Sequence, residues 1–183
     1  MHQVRPIADI PAPVPIRSSE FALADERATA RLGAALARAI EGQAPAIARR
    51  GLVVALAGDL GAGKTSVVRA ALRALGITGT VRSPTFTLVE PYVVSSLNFY
   101  HFDFYRLADP QEFSLAGFRD MFGPAAVCLI EWPERAGGRL PQADLRIALR
   151  VAGQGRDASL TAATELGAAC LDRIAAEMAG HES

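Results

Sequence analysis

The apolar positions of the chain follow two patterns, one typical of buried strands and one typical of amphipathic helices. Continuous apolar runs at 52–57 and 125–132 predict strands buried on both faces of a parallel sheet. Apolar residues spaced by about one helical turn predict one helix from Asp25, a second from 63 to about 75, and a third from Thr164. Strands and helices therefore alternate along the chain, which favours the α/β class.

The second half of the chain continues this alternation with shorter elements. Residues 79–96 contain Gly, Pro, Ser and Thr and predict loop or edge strand, while the aromatic segment 97–105 predicts a strand. The run 109–112 (DPQE) predicts a helix start, because it pairs an N-cap carboxylate with Pro and a Glu three residues beyond the cap. Two further strand candidates are 144–151 and 158–163. We expect a three-layer sandwich with a mixed, largely parallel sheet and some antiparallel strands after residue 140.

Composition sets the domain count and excludes several classes of protein. Residues 1–17 hold four of the 11 prolines and predict a flexible tail, which leaves 18–183 as a single domain. The formal net charge is zero, so a basic surface for unaided nucleic-acid binding is not expected. No apolar run is long enough for a membrane span. Cys128 and Cys170 have no metal-like spacing, and we expect a reducing, cytoplasmic location.

The most specific motif is a glycine-rich loop between a predicted buried strand and a predicted helix. Residues 58–65 read GDLGAGKT and match the phosphate-binding pattern G-x-x-x-x-G-K-[ST] in full. Backbone N–H groups of such a loop converge on phosphate, the lysine reaches the β- and γ-phosphates, and the hydroxyl binds Mg²⁺. Lys64 is the only lysine among 19 basic residues. The predicted nucleotide contacts are Asp59, Leu60, Gly61, Ala62, Gly63, Lys64, Thr65 and Ser66.

The composition also favours ATP over GTP. Guanine-specific proteins read the base with an Asn-Lys-x-Asp motif. Asn98 is the only asparagine here, and Lys64 is already assigned to phosphate, so that motif cannot form. ATP or ADP with Mg²⁺ is therefore the predicted ligand.

Two carboxylates are candidates for magnesium and catalysis. Glu131 ends the apolar run 127–130, at the strand end where α/β sheets bind ligands. Asp103 lies in HFDFYR, where strand alternation places His101, Asp103 and Tyr105 on one face. We interpret His101 as a structural histidine. With Thr65, the two carboxylates form the predicted metal ligands, since Mg²⁺ prefers hard oxygen ligands.

The loop 83–87 (SPTFT) joins the P-loop helix to the aromatic strand. This is the position of a nucleotide-sensing switch, in which a threonine such as Thr85 contacts Mg²⁺ and the γ-phosphate when the loop closes. A plain turn followed by an edge strand explains the same residues equally well.

These motifs together resemble the TsaE family, the bacterial ATPases of tRNA threonylcarbamoyladenosine biosynthesis. The resemblance spans about 20–165 and rests on the order and spacing of GDLGAGKT (58–65), SPTFTLVEPY (83–92), HFDFYRL (101–107) and LIEWPE (129–134). It implies a P-loop NTPase-like fold and an accessory ATPase. The family acts with a TsaB–TsaD pair that performs the transfer, so contact with tRNA is expected only through these partners.

The resemblance also implies roles for individual residues. Asp103 and Glu131 correspond to essential carboxylates, Lys64 and Thr65 to the ATP and Mg²⁺ contacts, and Thr85 to the switch-like loop. Further implied nucleotide contacts are Glu26, Trp132, Gly155 and Arg156. Ser66 departs from the usual threonine of the family but keeps a hydroxyl.

Two other functions share the P-loop. A small-molecule or nucleoside kinase has the same size and motif, and Arg135 and Arg139 could belong to an arginine-bearing lid. A nucleotide-binding adaptor without turnover is the third interpretation, against which the intact Glu131 and Asp103 argue.

Overall fold

A computed structural model describes residues 14–84 and 86–180, which share one seven-stranded sheet. The strands are β1 (Arg17–Leu23), β2 (Leu52–Ala57), β3 (Val89–Val94), β4 (Leu97–Asp103), β5 (Ala126–Glu131), β6 (Leu145–Ala152) and β7 (Gly155–Ala162). The helices are α1 (Glu26–Gly42), α2 (Ala44–Arg50), α3 (Lys64–Ala74), α4 (Pro110–Leu115) and α5 (Glu165–Ala179).

The sheet is parallel at its centre and antiparallel at both edges. Its strand order is β1-β7-β6-β2-β5-β4-β3. The adjacent pairs β6–β2, β2–β5 and β5–β4 are parallel. At the edges β1 and β6 each pair antiparallel with β7, and β3 pairs antiparallel with β4. The predicted mixed sheet is confirmed, including an antiparallel strand after residue 140.

Helices cover the sheet on both faces and complete three layers. α1, α3 and α5 pack together on one face, where they bury the main hydrophobic core. On the other face α4 and two 3-10 turns, Phe118–Met121 and Pro133–Ala136, cover β4 and β5. This second core is largely aromatic, and its packed rings belong to Phe102, Phe104, Phe113, Phe118 and Phe122. The three-layer sandwich is therefore confirmed.

A glycine allows α1 to approach α3 closely. A Cβ atom at Gly33 would lie 2.5 Å from the carbonyl oxygen of Val67 and 2.6 Å from the Cβ of Ala70. Contacts this short require the backbone to move, so only glycine fits here without a shift of the helices. α3 follows the P-loop, and this close packing fixes the helix that carries the loop.

The structure adds two elements that the sequence pattern did not predict. β1 begins at Arg17, one residue inside the predicted tail, and α2 lies where no helix was predicted. Residues 1–13, most of that tail, lie outside the described residues. Within the described part of the chain, no helix is long and apolar enough to cross a membrane.

A buried carboxylate at the amino-terminal ends of β2 and β6 connects three elements, and its loss should destabilise the fold. Asp144, 3% exposed, accepts hydrogen bonds from the Val53 N–H (2.9 Å), the Arg50 guanidinium (2.8 Å) and the Thr164 hydroxyl (2.6 Å). Thr164 in turn caps α5 by accepting from the Gly167 N–H. Asp144→Ala removes the acceptor of the Val53 N–H and the Thr164 hydroxyl and the ion-pair partner of the half-exposed Arg50. We therefore expect the free energy of unfolding to fall by about 2–4 kcal/mol.

Thermal unfolding followed by circular dichroism measures this effect. For a chain of this size we expect Tm to fall by about 5–15 °C. Asp157→Ala is the matched control, because the ion pair between Asp157 and Arg150 is exposed and contributes little. Equal melting of the two variants would contradict a structural role for Asp144.

Candidate functional site

Three neighbouring parallel strands end at the same level of the sheet and bring their carboxyl-terminal residues together. The register pairs Leu56 of β2 with Glu131 of β5, and Glu131 with Asp103 of β4. The P-loop leaves β2 immediately after Ala57 and turns into α3 at Lys64. The two predicted carboxylates and the glycine-rich loop therefore share one edge of the sheet, the edge at which α/β sheets bind ligands.

Glycine is needed at the last turn of the P-loop. Gly63 has φ +105°, a left-handed conformation that side chains rarely adopt, and it caps α3. A Cβ atom there would lie 2.7 Å from Nε of Arg156. That same Nε donates a hydrogen bond to the carbonyl oxygen of Ala62 at 2.8 Å. Arg156, from β7, is thus held directly against the P-loop.

Lys64 lies at the centre of the site and is only 4% exposed. Its Nζ donates to the carbonyl oxygens of Gly58 (2.6 Å) and Asp59 (2.9 Å), and it lies 3.9 Å from the centroid of the Trp132 ring. Burial lowers the pKa of Lys64, because the ammonium loses hydration, while the nearby carboxylates of Glu131 and Asp103 act in the opposite direction. A phosphate group would supply the charge-assisted partner that this ammonium lacks.

Glu131 is buried at the end of β5, and its carboxylate forms hydrogen bonds with a hydroxyl and an imidazole. The Thr65 Oγ1 lies 2.8 Å from its Oε1 and 2.9 Å from its Oε2. The His101 Nε2 lies 2.8 Å from Oε1. Thr65 and Glu131 therefore present hard oxygen atoms side by side, at the position predicted for Mg²⁺.

Asp103 ends β4 with both carboxylate oxygens bonded. Its Oδ1 accepts from the Tyr105 N–H at 3.0 Å, and its Oδ2 accepts from the Ser83 hydroxyl. Asp103 is 4% exposed. The hydrogen bond to Ser83 connects this carboxylate to the loop 83–87, which was predicted as a switch.

These side chains surround a cleft of about 300 Å³. The residues that line it are Leu60, Gly61, Gly63, Lys64, Thr65, Ser66, Ser83, Asp103, Tyr105, Glu131, Trp132 and Arg156. Trp132, whose φ is +57°, contacts Tyr105 with 5.0 Å between ring centroids. The cleft therefore has a polar floor at the P-loop and an aromatic wall.

Some predicted contacts lie around the cleft rather than in it. Glu26 begins α1 and lines an adjoining groove, which Ser66 and Arg156 also line. Gly155 is buried in β7, where a Cβ atom would lie 2.2 Å from the carbonyl oxygen of Leu23. Its position explains how β1 approaches β7, and a nucleotide contact at Gly155 stays a prediction. Thr85 lies outside the described residues.

Two residues of the cleft were missing from the predicted site. Ser83 and Tyr105 both line it and both bond Asp103. Strand alternation had placed Tyr105 on the face of Asp103, so that pattern could have identified it. Ser83 belongs to the loop 83–87 that was predicted as a switch, but the pattern did not single out its hydroxyl, because the contact with Asp103 depends on how the loop folds.

The donor set fits a nucleotide phosphate with magnesium. The loop offers backbone N–H groups at the start of an eleven-residue helix, which favours an anion. No group of three or more His, Cys, Asp or Glu side chains in 14–84 and 86–180 is placed to hold a metal. Mg²⁺ in nucleotide sites needs only one or two protein ligands beside phosphates and water, and Thr65 with Glu131 is such a pair.

Comparisons with known proteins identify the family of this chain. Residues 23–158 match the family described as "Threonylcarbamoyl adenosine biosynthesis protein TsaE". Two curated proteins named "tRNA threonylcarbamoyladenosine biosynthesis protein TsaE" are similar. The Haemophilus influenzae protein is 47% identical over 64% of this chain and 75% of its own length. The Treponema pallidum protein is 40% identical over 69% of this chain and 87% of its own.

A solved structure extends the similarity to the fold. The crystal structure of YdiB from Bacillus subtilis matches with a TM-score of 0.67 and 28% identity, covering 91% of this chain and 97% of that one. The family match spans the P-loop, both carboxylates and Arg156. The chain belongs to the TsaE family.

Proposed function

We propose that this protein binds ATP with Mg²⁺, hydrolyses it, and thereby supports threonylcarbamoyladenosine formation in tRNA together with a TsaB–TsaD pair. A role in that tRNA modification follows from membership in the TsaE family. ATP hydrolysis and the TsaB–TsaD partners are the two elements of the proposal that go beyond this family role. Residues 18–183 are proposed to form the single P-loop domain, and the tRNA pathway suggests a cytoplasmic location.

One observation carries the proposal: Lys64 and Thr65 of the P-loop converge with Glu131. The Thr65 hydroxyl lies within 2.9 Å of both Glu131 oxygens. The Lys64 ammonium is buried, and its hydrogen-bond acceptors among the described residues are the backbone carbonyls of Gly58 and Asp59. A phosphate-binding ammonium beside a hydroxyl–carboxylate pair is the arrangement that nucleoside triphosphate hydrolysis requires. ATP is preferred because the guanine-reading motif cannot form from one asparagine and one committed lysine.

Each residue then has a defined task. Lys64 would balance charge on the β- and γ-phosphates, and Thr65 and Glu131 would hold Mg²⁺, which supplies electrostatic stabilisation of phosphoryl transfer. Asp103 lines the same cleft and would orient the attacking water, and it is proposed as a third group that holds Mg²⁺. Arg156 would place a second cation over the P-loop. Thr85 is proposed to join this set when the loop 83–87 closes.

Nothing in the comparisons favours the small-molecule or nucleoside kinase. ATP turnover distinguishes the two functions directly. We expect slow hydrolysis by the isolated protein and faster hydrolysis when a TsaB–TsaD pair is added, with inorganic phosphate as the product. Turnover that depends on a small-molecule acceptor, with a phosphorylated acceptor as product, would contradict the proposal.

The emission of Trp132 should report nucleotide binding. Trp132 is the only tryptophan, and the Lys64 ammonium lies 3.9 Å from its ring centroid. Phosphate should draw this ammonium away from the ring, which changes the electric field at the indole. We expect a saturable change in emission on titration with ADP and Mg²⁺. Binding measured by calorimetry with no change in emission would contradict the placement of Trp132 beside the phosphates.

A further inference from the structure

His101 is the most buried polar side chain that the proposed function leaves without a task. It is 0% exposed, on the face of β4 that carries Asp103 two residues later. Its Nε2 lies 2.8 Å from Oε1 of Glu131. Among the described residues, no hydrogen-bond partner reaches its Nδ1. Within 14–84 and 86–180, the one hydrogen-bond partner of this imidazole is thus a proposed magnesium ligand.

The two ring nitrogens have different surroundings, and this difference assigns the proton. An ionised carboxylate only accepts hydrogen bonds, so the contact with Glu131 requires a proton on Nε2. A proton on Nδ1 would be a buried donor without an acceptor, which is costly. The neutral imidazole that carries its proton on Nε2 satisfies both conditions.

We propose that His101 is a positioning residue that donates Nε2–H to Oε1 of Glu131 and thereby holds the carboxylate in the orientation that binds Mg²⁺. Metal-ligating carboxylates are commonly fixed by such outer partners, whose loss weakens metal affinity by about 10- to 100-fold. The Thr65 hydroxyl approaches the same carboxylate from the P-loop. Glu131 is therefore held from both sides, by β4 and by α3. This inference rests on the proposed Mg²⁺–nucleotide site.

Paired substitutions separate positioning from packing. His101→Met keeps the bulk of the side chain without a donor, whereas His101→Gln keeps an amide donor near the position of Nε2. Phe102→Leu is the structural control, since Phe102 lies on the same strand but faces the aromatic core. Mg²⁺ affinity is measured from Trp132 emission at saturating ADP, ADP affinity in a chelator by calorimetry, and Tm by circular dichroism.

We expect His101→Met to raise the Kd for Mg²⁺ by about 10- to 100-fold while ADP affinity in chelator stays within about threefold of wild type. His101→Gln should recover most of the Mg²⁺ affinity. Phe102→Leu should lower Tm without changing the Mg²⁺ affinity. Mg²⁺ affinity of the Met variant within about threefold of wild type, or equal losses in the Met and Gln variants, would overturn the proposal.

A measurement on the unmodified protein covers the case in which the Met variant does not fold. Nitrogen NMR of the His101 ring should show the proton on Nε2, and a proton on Nδ1 would overturn the proposal. A wild-type protein that binds ADP without any dependence on Mg²⁺ would instead overturn the proposed function, and this inference with it. The two failures are therefore distinguishable.

Discussion

Replacing Lys64 by alanine should weaken ATP binding by about 10- to 100-fold or more while leaving the fold intact. Charge-assisted hydrogen bonds of this kind contribute about 1.5–3 kcal/mol. The chain has no second lysine, and the other cation that lines the cleft, Arg156, is already bonded to the Ala62 carbonyl. No nearby ammonium can therefore replace the lost one.

Calorimetry measures this affinity, and circular dichroism with Tm shows whether the variant is folded. Arg150→Ala is the control for loss of one positive charge, because Arg150 is exposed in an ion pair with Asp157 and does not line the cleft. ATP affinity of the Lys64 variant within threefold of wild type would refute the P-loop assignment.

The second large effect is expected at Glu131. Glu131→Gln keeps the shape of the side chain but removes its charge, so Mg²⁺ loses an anionic ligand. We expect hydrolysis to fall at least about 100-fold, and the Mg²⁺-dependent part of ATP affinity to disappear. ATP affinity in the presence of a chelator should stay within about threefold, because Lys64 and the loop backbone still hold the phosphates.

Glu134→Gln is the matched control for this substitution. Glu134 follows three residues later, belongs to the 3-10 turn Pro133–Ala136, and also contributes a negative charge near Lys64. Both substitutions remove one charge from the same neighbourhood, but only Glu131 contacts Thr65. Equal effects of the two would show that general charge, rather than metal ligation, explains the loss.

Local sequence signals were sufficient for the P-loop and for most elements. The capping box at Asp109 is present as predicted, and the helix predicted from Thr164 begins there, with Thr164 as its N-cap. Such signals lie within one turn of the helix they start. α2 and β1 gave weaker signals. The side chain of Gln43, the N-cap of α2, does not cap the helix by a hydrogen bond, and β1 is an edge strand with mixed polarity that depends on pairing with distant β7.

The same limit applies to the site. Alternation placed His101 and Asp103 on one face, and the run 127–130 placed Glu131 at a strand end. The contact between His101 and Glu131 spans 30 residues of sequence and depends on β4 and β5 being parallel neighbours. Sheet order is a property of tertiary packing, so local periodicity cannot predict that β4 and β5 are neighbours or that His101 contacts Glu131.

The parallel register of the central strands restricts where the chain can change length. Glu131 is paired with Leu56 on one side and Asp103 on the other. One residue inserted into β5 would reverse the faces of every residue beyond it and turn Glu131 towards the aromatic core around Phe102. Insertions and fusions to this protein should therefore be tolerated in the turns between strands, such as the 153–154 turn between β6 and β7, and rejected within β4 and β5.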